Sequence, residues 1–196
     1  MTDRKKILDR IPVRTMTRKP EPYPSRNDLP PETLPERFAE KLSESGGEAF
    51  IVTKPDIKKR IRDLFGLQER YLNLSDQVDL PTDEFFYWED GHHDDPGSGG
   101  PDLLIVDGLI GVAGNGAVWL TEEKIGDRRY PFISTGILIL LPMEQIVADM
   151  FEAYRKISLS SGYGVWIAGP SKTADIEQTL VFGAQGSLRH MVFVIH

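Results

Sequence analysis

From Pro35 onwards, hydrophobic positions fall either at helical spacing or in short continuous runs. Apolar residues three and four positions apart predict amphipathic helices, whereas unbroken apolar runs are typical of buried strands. Helices are predicted with faces formed by Phe38, Ala39 and Leu42, by Ile57, Ile61, Leu64 and Phe65, by Ile146, Val147, Met150, Phe151 and Tyr154, and over residues 173–181. Strands are predicted at residues 49–52, 71–74, 103–106, 117–120, 136–141, 165–168 and 191–195. This alternation indicates an α/β fold with a mostly parallel sheet and helices on both faces.

Glycine and proline mark where several of these elements begin and end. Gly66 is predicted to end the second helix, and Pro142 to begin the third. Asn115-Gly116 predicts a β-hairpin, because both turn positions favour a positive φ. The run 136–141 is continuously apolar, as expected of a strand that is covered on both faces. The hairpin therefore adds an antiparallel component to the parallel sheet.

The first 30 residues differ from the rest of the chain. Seven of the 14 prolines lie before residue 36, and residues 1–20 carry a net charge of +5. Because proline lacks a backbone donor and fixes φ, we predict an extended, basic arm over residues 1–30 and one α/β domain over residues 31–196. The arm is interpreted as a mobile terminus; a docking segment for an acidic partner is the alternative.

Composition excludes several classes of function. The 196-residue chain has a net charge of −7, which argues against broad binding of nucleic acids. It has no cysteine, which excludes disulfides, thiolate nucleophiles and an iron–sulfur cluster held by its own thiolates. The longest apolar run is too short for a membrane span, and no apolar region follows the charged first residues. We therefore expect a cytoplasmic protein.

The segment 169–175, Gly-Pro-Ser-Lys-Thr-Ala-Asp, is the first candidate site. It lies between a predicted strand and a predicted helix, and ligands of parallel sheets bind beyond the carboxyl ends of strands, where helix amides point. Ser171 and Thr173 offer hydroxyls and Lys172 a positive charge, which suits a carboxylate or phosphate. Alternatively, Ser171 or Thr173 only caps the helix.

Other segments are weaker candidates for chemistry. The glycine-rich residues 108–116 have neither the dinucleotide-binding nor the Walker order, and they lead into a strand. We interpret them as a hairpin that allows close backbone approach, with one wall of a pocket as the alternative. The acidic and histidine residues of 89–95 are interpreted as a solvated loop and not as a metal site. His190 and His196 are expected on the solvent-facing or edge side of the last strand.

The run Gly-Pro-Ser-Lys-Thr-Ala-Asp-Ile-Glu at 169–177 resembles the lactate-utilisation (LUD) domain family, in particular its protein C type. The family allows arginine or lysine at the fourth position of this run. The surrounding order is also similar: the hairpin 111–116 precedes it, then the strand 138–142, and Gly-Ala-Gln-Gly at 183–186 follows before the last strand. The resemblance covers about residues 103–196.

The resemblance implies a three-layer α/β/α fold similar to the NagB/RpiA/CoA-transferase group. It also implies a role beside partner proteins, including an iron–sulfur subunit, in oxidising L-lactate to pyruvate. In this chain itself no cofactor and no metal are expected. The sheet end where the three similar segments meet is then expected to bind a small anion. Its residues are Gly111, Gly114, Asn115, Gly116, Gly169, Ser171, Lys172, Thr173, Gln185 and Gly186.

Two departures from the family bear on catalysis. Gly114 and Asn115 replace an acid and a hydroxyl, and Gln185 and Ser187 replace a histidine and a proline. A carboxylate and an imidazole are the groups most able to transfer protons, so their replacement favours an accessory, non-redox subunit with no identified catalytic residue.

Two other functions remain open. The first is a free-standing enzyme of the isomerase or CoA-transferase type that acts on a phosphorylated or acyl-CoA substrate. It requires a general base, for which Asp107, Glu122 and Asp175 are the candidates if one of them has a raised pKa. The second is a pure interaction module that uses the basic arm against an acidic partner.

Overall fold

The computed structural model describes residues 30–66, 69–81, 86–87, 100–157, 162–173, 181–182 and 186–196. The helices in these ranges are α1 (Leu34–Glu44), α2 (Ile57–Phe65), α3 (Glu122–Ile125), α4 (Tyr130–Ile133) and α5 (Met150–Lys156). The strands are β1 (Glu48–Val52), β2 (Arg70–Asn73), β3 (Phe86–Tyr87), β4 (Leu103–Asp107), β5 (Ile110–Val112), β6 (Ala117–Thr121), β7 (Gly136–Pro142), β8 (Ile146–Val147), β9 (Gly164–Ile167), β10 (Lys172–Thr173), β11 (Val181–Phe182) and β12 (Arg189–Ile195). Single 3-10 turns precede α1, α2 and β8.

Two sheets organise the fold. The main sheet has six parallel strands in the order β1-β12-β7-β4-β2-β3. The second sheet has the order β8-β5-β6-β9 and contains the antiparallel β5–β6 hairpin. A separate antiparallel pair joins β10 and β11. The predicted α/β class with a mostly parallel sheet and a β-hairpin is confirmed, but the hairpin belongs to the second sheet and not to the parallel one.

The core has two apolar layers, one on each face of the main sheet, and a smaller cluster where α5 packs on the second sheet. On one face, α2 packs through Ile57, Ile61 and Phe65. On the other, α1 packs through Phe38 and Leu42 together with the inner face of the second sheet. Residues of β7 alternate between the two layers, which explains why this strand is continuously apolar. The layer beside α1 thus contains a sheet as well as helices.

The helix predicted from Pro142 is confirmed only for its second half, because the helix begins at Met150. Pro142 is the last residue of β7, and Ile146 and Val147 form β8, which is buried because it pairs with β5. The helix α5 begins only after Asp149, whose carboxylate caps it by accepting a backbone N–H of the first turn at 2.9 Å. Two apolar strand residues followed by a short amphipathic helix imitate one longer helical pattern.

Two other helix predictions also need correction. The helix expected over residues 173–181 is wrong at both ends, because Thr173 belongs to β10 and Val181 to β11; residues 174–180 lie outside the described residues. Leu64 was expected on the buried face of α2, but its side chain is 37% exposed. The buried stripe of α2 is completed by positions 57, 61 and 65, which follow one another at four-residue spacing.

Some sequence predictions concern segments that the structure does not describe. The arm over residues 1–30 falls outside the described ranges except for its last residue, and the predicted loop 89–95 falls outside them entirely. The division of the chain at residue 30 stays a prediction. Among the helices of the described ranges, none is long and apolar enough to cross a membrane.

Candidate functional site

A cavity of about 280 Å³ lies between α4, the outer edge of β9 and the segments 169–172 and 186–187. Two of its walls, α4 and residues 186–187, immediately precede β7 and β12. The cavity is therefore at the amino end of the main sheet. The sequence had placed the site at the carboxyl ends of parallel strands, but the segment 169–172 follows β9 of the second, mostly antiparallel sheet.

The polar side chains of the cavity come from the segment that resembles the LUD family. Ser171 is half-buried and Lys172 is exposed, and both line the cavity. The Ser171 backbone N–H donates to the Ser187 carbonyl at 3.0 Å, which holds the segments 169–172 and 186–187 together. A Cβ at Gly186 would lie 3.6 Å from the Ser171 hydroxyl oxygen, so a glycine there leaves space beside this hydroxyl.

The outer edge of β9 adds backbone groups to the cavity. The Glu122 N–H donates to the Tyr163 carbonyl at 3.0 Å, and hydrogen-bonded positions alternate along an antiparallel pair. Trp166 therefore turns its backbone N–H and C=O away from β6, towards the cavity side of β9. Its indole Nε1 is buried and has no hydrogen-bond partner within the described part of the chain. Phe132 and Trp166 give the pocket an aromatic wall beside a few polar groups. This combination is typical of small-molecule sites.

Two glycines position these side chains through close backbone approach. Gly169 has a φ of +78°, and a Cβ there would lie 2.3 Å from the carbonyl oxygen of Ser45. Gly46 has a φ of +80°, and a Cβ there would lie 3.3 Å from both Cε and Nζ of Lys172. The end of α1 thus supports the segment 169–172 from behind. Gly169 lines the cavity, but a glycine is required at this position because the end of α1 packs against it.

The hairpin residues predicted for the site lie elsewhere. Gly111 is buried in the core, Gly114 adjoins the carbonyl of residue 148, and Gly116 (φ +70°) packs against the backbone of Leu42. The Asn115 side chain accepts the backbone N–H of residue 117 at 3.0 Å and so stabilises a four-residue turn. None of the four lines the cavity. Their glycines serve close packing, which is the interpretation that the sequence favoured for this segment.

Two more predicted site residues cannot be placed. The backbone of Thr173 belongs to β10, and its side chain lies outside the described residues. Gln185 lies outside the described residues as well. Their role in an anion site stays a prediction.

The two candidate general bases that the structure describes do not reach the cavity. Asp107 is 5% exposed at the carboxyl end of β4 and accepts hydrogen bonds from Ser75 Oγ, from the Asp76 N–H at 3.1 Å and from Gln77 Nε2 at 3.1 Å. Hydrogen bonds from the Arg128 guanidinium lower the pKa of Glu122, which is the opposite of what a general base needs. Asp175 lies outside the described residues.

His190 is buried, contrary to the expectation of a solvent-facing or edge position. It is 2% exposed because β12 lies inside the main sheet, between β1 and β7. Neither ring nitrogen has a hydrogen-bond partner among the residues described, and burial lowers the pKa of His190 to about 4. A neutral imidazole without partners is a core group and not a ligand of the cavity. His196 is exposed, as expected.

No metal site is found in the described ranges, where no three His, Asp or Glu side chains lie together. Residues 89–95, for which a metal site was the alternative interpretation, lie outside those ranges.

Sequence reasoning missed seven residues of the cavity lining: Pro131, Phe132, Val165, Trp166, Ile167, Ala168 and Ser187. They come from three separate segments that only the packing of the two sheets brings together. No local pattern marks such residues. The family resemblance located the segment 169–172 and Gly186 in the lining, and the other lining residues follow from the tertiary structure.

Comparisons with known proteins agree with this fold. The LUD domain family model matches residues 100–195. Lactate utilization protein C of Shouchella clausii is 31% identical over 100 residues, which are 48% of this chain and 44% of that relative. Lactate utilization protein C of Oceanobacillus iheyensis is 23% identical over 140 residues, which are 67% of this chain and 58% of the relative. The chain thus spans about half the length of the curated relatives that it matches.

A solved structure shows the same fold. The crystal structure of a DUF162 family protein from Deinococcus radiodurans superposes with a TM-score of 0.65 at 15% identity. The alignment covers 86% of this chain and 99% of the other. At this identity the likeness concerns the fold alone.

Proposed function

Because residues 100–195 make this chain a member of the LUD domain family, we propose that it works in lactate utilisation as an accessory subunit that binds a small anion. The names of its two curated relatives support the pathway. The cavity between α4, β9 and the segments 169–172 and 186–187 carries the anion part of the proposal. In this role the chain holds no redox centre of its own.

The cavity supports an anion by its chemistry. Lys172 supplies a positive charge, and the Ser171 hydroxyl and the backbone N–H of Trp166 can donate hydrogen bonds. Hydrogen bonds between an ionised donor and a carboxylate or phosphate are about twice as strong as neutral ones. Phe132 and Trp166 add apolar surface for the non-ionic part of the ligand. A small carboxylate such as lactate or pyruvate fits this set, and so does a phosphate ester.

The proposal assigns electron transfer to partners. The sequence has no cysteine, so any thiolate-held iron–sulfur cluster of the system belongs to another protein. The described candidate bases, Asp107 and Glu122, lie away from the cavity lining and are already engaged in hydrogen bonds. This favours a binding subunit over a free-standing isomerase or CoA-transferase. We place the protein in the cytoplasm, with an iron–sulfur lactate-utilisation subunit as its expected partner.

Replacing Lys172 by alanine tests the anion site. A ligand at a hundred times its Kd stabilises a fold by about 2.7 kcal/mol, so the correct anion should raise the Tm of the wild type by about 5–10 °C. In Lys172→Ala we expect about half of this rise at the same concentration, because a tenfold weaker affinity removes about 1.4 kcal/mol. The measurement is a thermal-shift panel with lactate, pyruvate, phosphate, sugar phosphates, nucleotides and acyl-CoA.

The matched control is Lys59→Ala, which removes an exposed lysine on α2, away from the cavity lining. It should keep the full ligand-induced rise in Tm. An equal rise in wild type and Lys172→Ala would remove Lys172 from the site. The lactate role is tested separately: deletion of the gene should abolish growth on L-lactate, and normal growth of the deletion strain would contradict that role.

A further inference from the structure

The outer edge of β1 is an exposed strand edge with a groove beside it. Within the described ranges, β1 pairs with β12 alone and ends the main sheet. A groove of about 570 Å³ runs along it, lined by residues 49–53 with Asp56, Arg60 and His196. Ile51, in the middle of the strand, is 52% exposed. Exposed edges of this kind are templates for pairing with another strand.

The hydrogen bonds to β12 determine which backbone groups face outwards. The His196 N–H donates to the Val52 carbonyl at 3.2 Å, so Val52 points towards β12. Since the direction alternates along a strand, Ala49, Ile51 and Thr53 turn their N–H and C=O groups to the open edge. Thr53 is still extended, with φ −88° and ψ 152°. Three consecutive outward-facing positions are therefore available for a further strand.

This edge is complementary to a second copy of itself. In an antiparallel pair centred on Ile51, each Ile51 faces its equivalent, and Ala49 faces Thr53 of the other copy. All outward-facing positions then meet as hydrogen-bonded pairs. The Thr53 carbonyl already accepts the Asp56 N–H at 3.0 Å and has a second lone pair for the new bond.

The side chains match in the same register. Glu48 comes to lie beside Lys54 of the other copy, at both ends of the pair. Lys54 is the first residue of the 3-10 turn that follows Thr53, and both residues are exposed. On the same face, Phe50 comes to lie opposite Val52, and on the other face the two half-exposed Ile51 side chains meet. Opposite charges and apolar residues directly across an antiparallel pair stabilise it.

From this match we infer that two copies of the chain associate through their β1 edges, which joins the two main sheets into one twelve-stranded sheet. The partner of this edge is a second copy because its hydrogen-bonding positions, its exposed isoleucine and its charges are all self-complementary about Ile51. The inference is independent of the proposed anion site, which lies along β9.

Disulfide trapping tests the register directly. The sequence has no cysteine, so Ile51→Cys introduces a single thiol. Hydrogen-bonded antiparallel pairs have Cα atoms about 5.5 Å apart, a separation that suits a disulfide. We expect Ile51→Cys to form a covalent dimer under mild oxidation. Leu64→Cys, at another exposed position, should remain mainly monomeric.

A charge exchange provides the second measurement, by sedimentation of the full chain. Glu48→Lys and Lys54→Glu should each weaken the dimer about tenfold, because two attractive pairs become repulsive. The double variant E48K/K54E restores both pairs and should return the dissociation constant to within about threefold of wild type. Circular dichroism checks that each variant is folded.

Three results would overturn the inference. The first is a wild-type chain that stays monomeric at about 200 µM, since a useful interface should associate well below this concentration. The second is a dimer whose affinity is not recovered by E48K/K54E. The third is dimerisation that requires deletion of residues 1–29, which would mean that the arm and not a second copy occupies the edge.

Discussion

Replacement of Gly169 by alanine is expected to lower the free energy of unfolding by about 4 kcal/mol. Gly169 has a φ of +78°, and its added Cβ would lie 2.3 Å from the Ser45 carbonyl oxygen and 3.0 Å from the Ser45 carbonyl carbon. These are backbone atoms at the end of α1, so the steric clash can be relieved only if the segment 169–172 moves. Equilibrium unfolding in urea or guanidinium measures the loss.

Gly66→Ala is the matched control. Gly66 has a similar φ of +74°, with a ψ of −167°, but a Cβ added there would have no atom of the described residues within 4 Å apart from those of its chain neighbours. We expect a smaller cost of about 2 kcal/mol, which reflects only a backbone conformation that residues other than glycine rarely adopt. The difference between the two variants measures the close approach. Equal, small costs would show that the contact between Gly169 and α1 is absent in solution.

This result would also separate two roles for Gly169. The sequence predicted it as a ligand-binding residue, because glycine allows a ligand to approach the backbone. The structure shows that α1 already occupies the position where its side chain would be. The variant should therefore lose stability even without ligand, whereas Lys172→Ala should lose ligand binding with little effect on stability.

His190 is expected to make the protein sensitive to mild acid. Its pKa is about 4 in the folded protein because the ring is buried, against 6.5 for an ordinary histidine. A folded pKa below the unfolded one means that the stabilisation is complete above pH 6.5 and is lost as the pH falls towards 4. Between pH 7 and pH 5 the free energy of unfolding should fall by about 2 kcal/mol from this residue.

His190→Leu tests the assignment. Leucine cannot be protonated, and its side chain has no nitrogen that needs a hydrogen-bond partner. The free energy of unfolding of the variant should therefore be almost independent of pH in this window. His196→Leu, at the exposed end of the same strand, should keep the wild-type dependence. The acidic groups with lowered pKa values, Asp102 and Glu122, respond at lower pH and do not obscure the comparison. An unchanged acid dependence in His190→Leu would contradict the role of its burial.

Local patterns predicted five of the six strands of the main sheet, all except the two-residue β3. The central strands were predictable because burial on both faces requires continuous apolar runs. The strands β4, β7 and β12 all carry such runs. The end of α2 at Gly66 was also predictable from one residue. The pattern failed between Pro142 and α5, where a β8 of two residues carries no periodicity of its own. Its pairing with β5 is a long-range contact that no local spacing encodes.

The site was predictable only in part, for the same reason. Ser171 and Lys172 were found from a local run of residues, and the structure places both on the cavity. The hairpin glycines 111–116 share their composition with a binding loop, but composition does not tell a glycine that meets a ligand from one that meets a helix. Gly116 lies against the backbone of Leu42 in α1, so this glycine meets a helix and not a ligand. Phe132 and Trp166 reach the cavity only through the packing of the two sheets.

The position of β12 inside the main sheet has a consequence for how the chain folds during synthesis. β1 pairs only with β12 among the described strands, and roughly 140 residues separate the two along the chain. While the ribosome is still making the segment between them, β1 has no strand of the main sheet to pair with. The nascent chain must keep this region soluble until residues 189–195 have emerged, which predicts a slow, late folding step and a need for chaperones.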